Sequence, residues 1–86
     1  MQLLVEAEAN AGLLCRLIGL AAQLDLPAPA MRVAVVDSTM TVDLELRGVE
    51  RHLGMILAEK AARCVGVSYV SVNGRSLDPP CGALAA

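Results

Sequence analysis

From Thr39 to Arg47 the chain alternates without a break. Met40, Val42, Leu44 and Leu46 are apolar, and Thr39, Thr41, Asp43, Glu45 and Arg47 between them are polar. Side chains of a strand point in turn to its two faces, so this stretch is a strand with one face on a core and one in water. Just ahead of it, Met31–Val36 is rich in β-branched residues, and Asp37-Ser38 between the two runs is a turn signal. The pair therefore reads as an antiparallel hairpin.

The other elements fall around this hairpin. At the start, Leu3, Val5 and Ala7 alternate with Leu4, Glu6 and Glu8, giving a strand over Gln2–Glu8. Leu4 interrupts the pattern, which suits a sheet whose second face is partly covered. From Ala11 to about Leu26, Leu14, Leu17, Ile18, Ala21 and Leu24 form a helical stripe that Leu13 and Leu20 widen. The helix must stop before Pro27, because Asp25-Leu26-Pro27-Ala28-Pro29 cannot continue it. After the hairpin, Gly48 opens a second helix to about Arg63, with Val49, Leu53, Ile56 and Leu57 toward the core and Glu59 paired with Arg63 in water. Val65–Val72 is a last strand packed through Val67, Val70 and Val72. From Asn73 the sequence has no period, so residues 1–72 are expected to form the domain and 73–86 a flexible tail. The order β-α-β-β-α-β is that of an α+β, ferredoxin-like sandwich: a four-stranded antiparallel sheet with two helices on one face.

Composition adds a constraint on assembly. A chain of 86 residues buries only about 60% of its unfolded surface, yet 56% of these residues are hydrophobic. No run is long and uncharged enough to span a bilayer, since Arg16 interrupts the best candidate. A signal peptide is not expected either, because Glu6 and Glu8 stand where a basic segment should be. The surplus apolar surface therefore points to self-association. The net charge is −2, with no basic stripe and no aromatic pair to stack bases, which argues against nucleic acid. Three cysteines without CxxC spacing suit a reduced, cytoplasmic chain with Cys15 and Cys64 as small core residues.

Catalytic constellations are missing. His52 is the only histidine, and its neighbours Glu50 and Arg51 offer no metal-ligand spacing. No serine or cysteine has a recognisable base, and Asp37, Asp43 and Glu45 read as turn and outward strand residues. A copper carrier on this fold would need CxxC in the first loop, an RNA binder aromatics on its central strands, and a small phosphatase an arginine in the first loop. None is present, Arg16 lying too far along the helix.

What remains is the corner Asn10-Ala11-Gly12-Leu13-Leu14, where the first strand gives way to the first helix. Asn10 is a good N-cap. Gly12 falls in the first turn, where backbone N–H groups are unpaired and the helix dipole is positive. Without a Cβ, that position either admits an anionic group or permits a close packing contact.

With the order of elements, this corner resembles the ACT domain, an amino-acid-sensing regulatory module. Such domains carry a polar residue and then a turn ending in glycine and an aliphatic residue at this junction. Within that family the run Gly12-Leu13-Leu14-Cys15-Arg16-Leu17-Ile18, the strand Met40–Leu46 and the strand Val67–Val72 are similar to the small regulatory subunit of acetolactate synthase. Asn10 stands one position later than the usual polar residue, and Ala11 replaces the usual proline. The resemblance implies a homodimer without catalytic activity or cofactor, binding an amino-acid effector at its interface. The effector's carboxylate would meet backbone N–H groups near Gly12, Leu13 and Leu14. Asn10 would stand beside it, and Leu13, Leu14 and Met31 of a neighbouring chain would line an aliphatic pocket. Its partner would be the catalytic subunit of a branched-chain amino-acid biosynthetic enzyme such as acetolactate synthase. The alternative is a dimeric assembly module that binds no small molecule.

Overall fold

The computed structural model describes residues 1–77. They form β1 (Gln2–Glu8), α1 (Ala11–Gln23), β2 (Ala30–Val36), β3 (Thr39–Glu45), α2 (Arg51–Ala62), β4 (Val67–Val72) and β5 (Arg75–Ser76). The strands make one antiparallel sheet in the order β2-β3-β1-β4-β5. Apart from β5, this is the expected ferredoxin-like sandwich. No helix among the described residues is long and apolar enough to cross a membrane.

The alternating strand behaves as its sequence dictates: Met40, Val42, Leu44 and Leu46 are all buried. Its neighbour β1 sets Leu3, Val5 and Ala7 opposite Leu44, Val42 and Met40, and these pairs form the sheet half of the core. The hairpin to β2 closes at Val36 and Thr39 over Asp37-Ser38, with Asp37 at φ 55°. Aspartate tolerates that left-handed conformation better than most residues.

The first helix ends earlier than Pro27 requires. Asp25 takes φ 55°, its N–H donates to the Ala22 carbonyl at 3.0 Å, and Leu26 N–H donates to the Ala21 carbonyl at 3.1 Å. This is a Schellman ending with aspartate where glycine is usual. Its buried face is also rotated from the expected stripe. Leu13, Leu17 and Ala21 are buried, whereas Leu14 is half-buried and Ile18 exposed.

The second helix starts at Arg51 rather than Gly48, which sits in the preceding loop at φ 69°. Its core face is Gly54, Leu57, Ala58 and Ala61, while Leu53 and Ile56 are only half-buried. Hydrophobicity alone points to the large residues, but small ones let a helix approach a sheet closely. The expected Glu59–Arg63 pair is absent: the ion pair among the described residues joins the Met1 ammonium to Glu45 at 3.8 Å.

In β4 the packed residues Val67 and Val70 are three positions apart, which a regular strand would send to opposite faces. A register shift reconciles them: Glu6 pairs with Tyr69 and Ala7 with Val67, so Ser68 bulges out and donates its hydroxyl to the Glu6 carbonyl at 3.1 Å.

The expectation of an aperiodic tail from Asn73, and with it of four strands, is corrected here. Asn73 and Gly74 take φ 50° and 85° and turn the chain into β5, which pairs Arg75 with Val72 and Ser76 with Ser71. Asn-Gly is the favoured loop for such a two-residue hairpin. Of the cysteines, Cys15 is exposed rather than buried, Cys64 is half-buried, and Cys81 lies outside the described residues, as do positions 78–86 of the expected tail.

Candidate functional site

The β1–α1 corner is tied to both neighbouring loops. Glu8 N–H donates to the Gly66 carbonyl and Ala9 N–H to the Ser38 carbonyl, each at 2.9 Å. Gly66 has φ 97°, and a Cβ there would come within 3.0 Å of both Glu8 Oε2 and Leu13 Cδ2. The corner is therefore held by backbone bonds and close packing rather than by its own loop.

Asn10 is extended (φ −143°, ψ 123°), and its side-chain oxygen accepts from Leu13 N–H at 3.1 Å. Leu14 N–H donates to the Asn10 carbonyl at 3.1 Å, the first regular helical bond. The N–H groups of Leu13 and Leu14, which the resemblance offers to a carboxylate, thus each donate within the chain. The N–H groups of Ala11 and Gly12 have no acceptor within the helix. The first turn holds no acidic residue to offset the positive helix end. Gly12 is exposed, and the atom a Cβ on it would meet is Asn10 Oδ1, at 3.1 Å. Its absent side chain thus keeps two open donors accessible and the cap undisturbed.

The expected pocket residues separate. Leu13 is 4% exposed and packed in its own core. Leu14 is half-buried on a flank of the helix. Met31 pairs with Leu44, which pairs with Leu3, so within one chain it lies at the far end of the sheet from the corner. The β2 residues at the corner end are Val35 and Val36, through Met40 and Thr39 to Ala7 and Glu8.

Sequence reasoning missed how β2 is left. Register places Met31, Val33 and Val35 on the same face as Leu44, Val42 and Met40, the face the helices cover. They nevertheless remain 41%, 37% and 60% exposed, because the helices stop short of this edge. In a right-handed β1–α1–β2 crossover the side of α1 turned toward β2 is the one bearing Leu14 and Ile18. Ile18 is 43% exposed. The result is an exposed apolar row along the β2 edge of the sheet, with a further exposed apolar residue, Ile18, on α1. The signal was present in Met31–Val36, whose apolar residues occupy both parities, but such a run reads equally as a fully buried strand.

No group of three His, Cys, Asp or Glu side chains among the described residues is placed to hold a metal. None of their buried polar side-chain atoms lacks a partner.

A family model described as an ACT-like domain matches residues 1–79. Among solved structures, the chain is similar to the ACT domain from the GTP pyrophosphokinase of Chlorobium tepidum. The match has 17% sequence identity and a TM-score of 0.66, covering 81% of this chain and 91% of the other. At that identity the likeness is one of fold. No protein of curated function matches the sequence.

Proposed function

The chain belongs to the ACT-like domain family, and from that membership we propose that it is a regulatory module which binds an amino-acid effector and performs no chemistry of its own. ACT domains are in general regulatory small-molecule-binding domains. What supports the reading is the open N-terminus of α1, with N–H donors at Ala11 and Gly12, at the same end of the sheet as the exposed Val35 and Val36 of β2. A carboxylate suits the donors, and an aliphatic side chain suits the row.

The module works as a homodimer joined along β2. In a two-residue hairpin the residues flanking the loop exchange both backbone bonds, which turns the outward groups of Val35, Val33 and Met31 toward solvent. Two β2 strands pairing antiparallel about Val33 would set Met31 of one copy opposite Val35 of the other. The second copy's Met31 would then reach the corner end that its own chain's Met31 cannot. The exposed apolar side chains of both edges would be covered together, each contributing on the order of 1 kcal/mol.

The run Gly12–Ile18 supports a branched-chain amino acid as effector and a cytoplasmic enzyme such as acetolactate synthase as the regulated partner. Regulation then lies in the difference of effector affinity between two conformations of that assembly. Isothermal titration with valine, leucine and isoleucine tests the reading, using the wild type and Gly12→Leu. Saturable heat from one of them, lost in Gly12→Leu while gel filtration still gives a dimer, is the expected result. A dimer that binds none of the three would instead be an assembly module. A monomer would contradict both readings.

A further inference from the structure

We propose a second small-molecule site at the opposite edge of the sheet: a cleft between α2 and the β4–β5 hairpin that takes an anionic ligand, a carboxylate or phosphate carried on a short aliphatic body. The cleft encloses about 430 Å³. Arg51 approaches it from α2 and Arg75 from β5, and Met55, Val72 and Leu77 supply its apolar surface.

Two arginines line this cleft in a chain whose net charge is −2. Neither makes an ion pair among the described residues. Their placement follows from the fold. The Asn73-Gly74 turn pairs Arg75 with Val72, a core residue, and so puts Arg75 on the helix side of the sheet. Arg51 lies on the flank of α2 that Met55 also occupies, one turn on. Placing two like charges around one cleft is unfavourable until an anion enters between them, and guanidinium forks match carboxylate and phosphate oxygens in bidentate geometry.

The local helix chemistry points the same way. The first turn of α2 contains no acidic residue, its N-cap Glu50 makes no side-chain cap bond, and Arg51 and His52 follow. The guanidinium of Arg51 at the helix N-terminus opposes the dipole. The apolar surface of the cleft adds a demand that inorganic anions do not meet. The cleft adjoins β5, at the sheet edge opposite β2, so its occupancy is independent of the effector reading above.

The test is a titration at low ionic strength, followed by amide chemical shifts, with isovalerate, inorganic phosphate and, as a control for screening, sodium chloride. The expected result is saturable shifts centred on residues 51–55 and 75–77. Isovalerate should bind more tightly than phosphate, and affinity should fall about tenfold or more in Arg51→Gln and in Arg75→Gln. Both arginines are exposed, so these variants should keep the circular dichroism of the wild type. Arg32→Gln, at the β2 edge, should bind as the wild type does. Shifts that chloride reproduces, or that persist in the double variant Arg51→Gln/Arg75→Gln, would overturn the proposal. Phosphate binding without isovalerate binding would overturn the aliphatic part of it.

Discussion

Asn10 Oδ1 lies 3.1 Å from Leu13 N, and the same oxygen stands 3.1 Å from the position a Cβ on Gly12 would occupy. One atom therefore caps the helix and limits what can follow it. The cap takes the Leu13 donor and leaves those of Ala11 and Gly12 without a partner in the helix.

Replacing Asn10 separates the two roles. Asn10→Ala removes the acceptor for Leu13 N–H and should cost about 1 kcal/mol, a fall of roughly 4–8 °C in melting temperature for a domain of this size. Asn10→Asp keeps the cap and should hold the wild-type melting temperature. Its carboxylate would stand beside the open donors and should weaken binding of any amino acid there, as titration calorimetry would show. Unchanged effector affinity in Asn10→Asp would place the effector elsewhere.

The edge strand makes a second prediction. Val33→Lys and Val35→Lys introduce a charge into a row that is already solvent-accessible in the single chain, so the fold should keep its stability to within about 0.5 kcal/mol. In a β2-paired dimer the same lysines would meet each other or an apolar neighbour, and charged edges resist pairing. Sedimentation equilibrium should give a dimer for the wild type and a monomer for either variant. A dimer that survives both substitutions would place the interface on another surface.

These positions also show how far the sequence can be read. Strict alternation at Met40–Leu46 and the flanking turn at Asp37-Ser38 were legible because period and turn chemistry agree. The second helix was misread at its core face because Gly54, Ala58 and Ala61 carry little hydrophobic signal, yet they are the residues that let it reach the sheet. The β5 hairpin was signalled by Asn73-Gly74, but a strand as short as Arg75–Ser76 has no period to detect. The corner was legible as a helix start. Its distribution of free and occupied donors was not, since that depends on which N–H the Asn10 side chain takes.

The end of α1 gives a third prediction. Asp25 holds φ 55° in a Schellman ending and places a negative charge at the negative pole of the helix. Glycine adopts that backbone without a Cβ penalty, so Asp25→Gly should stabilise the domain by about 0.5–1 kcal/mol. Chemical denaturation should show a higher midpoint with an unchanged slope. A loss of stability would mean that the aspartate side chain makes a compensating contact.

Two helical glycines should respond to the same substitution in opposite directions. At Gly19 a Cβ would have nothing within 4 Å. Alanine there lowers the entropy of the unfolded chain and favours the helix, so Gly19→Ala should stabilise by roughly 0.5–1 kcal/mol. At Gly54 a Cβ would overlap the Met1 thioether sulfur, and the Leu46 side chain is 3.8 Å away. The methionine would have to swing out from its place against the core, or the helix would have to lift from the sheet over Leu57 and Ala58. Either movement costs more than the helix propensity gained, and Gly54→Ala should be destabilising by about 1–2 kcal/mol. Urea denaturation of both variants would read the contrast. Equal stabilisation by the two substitutions would show that Met1 does not pack on Gly54, and that the close approach of α2 to the sheet rests on Ala58 and Ala61 alone.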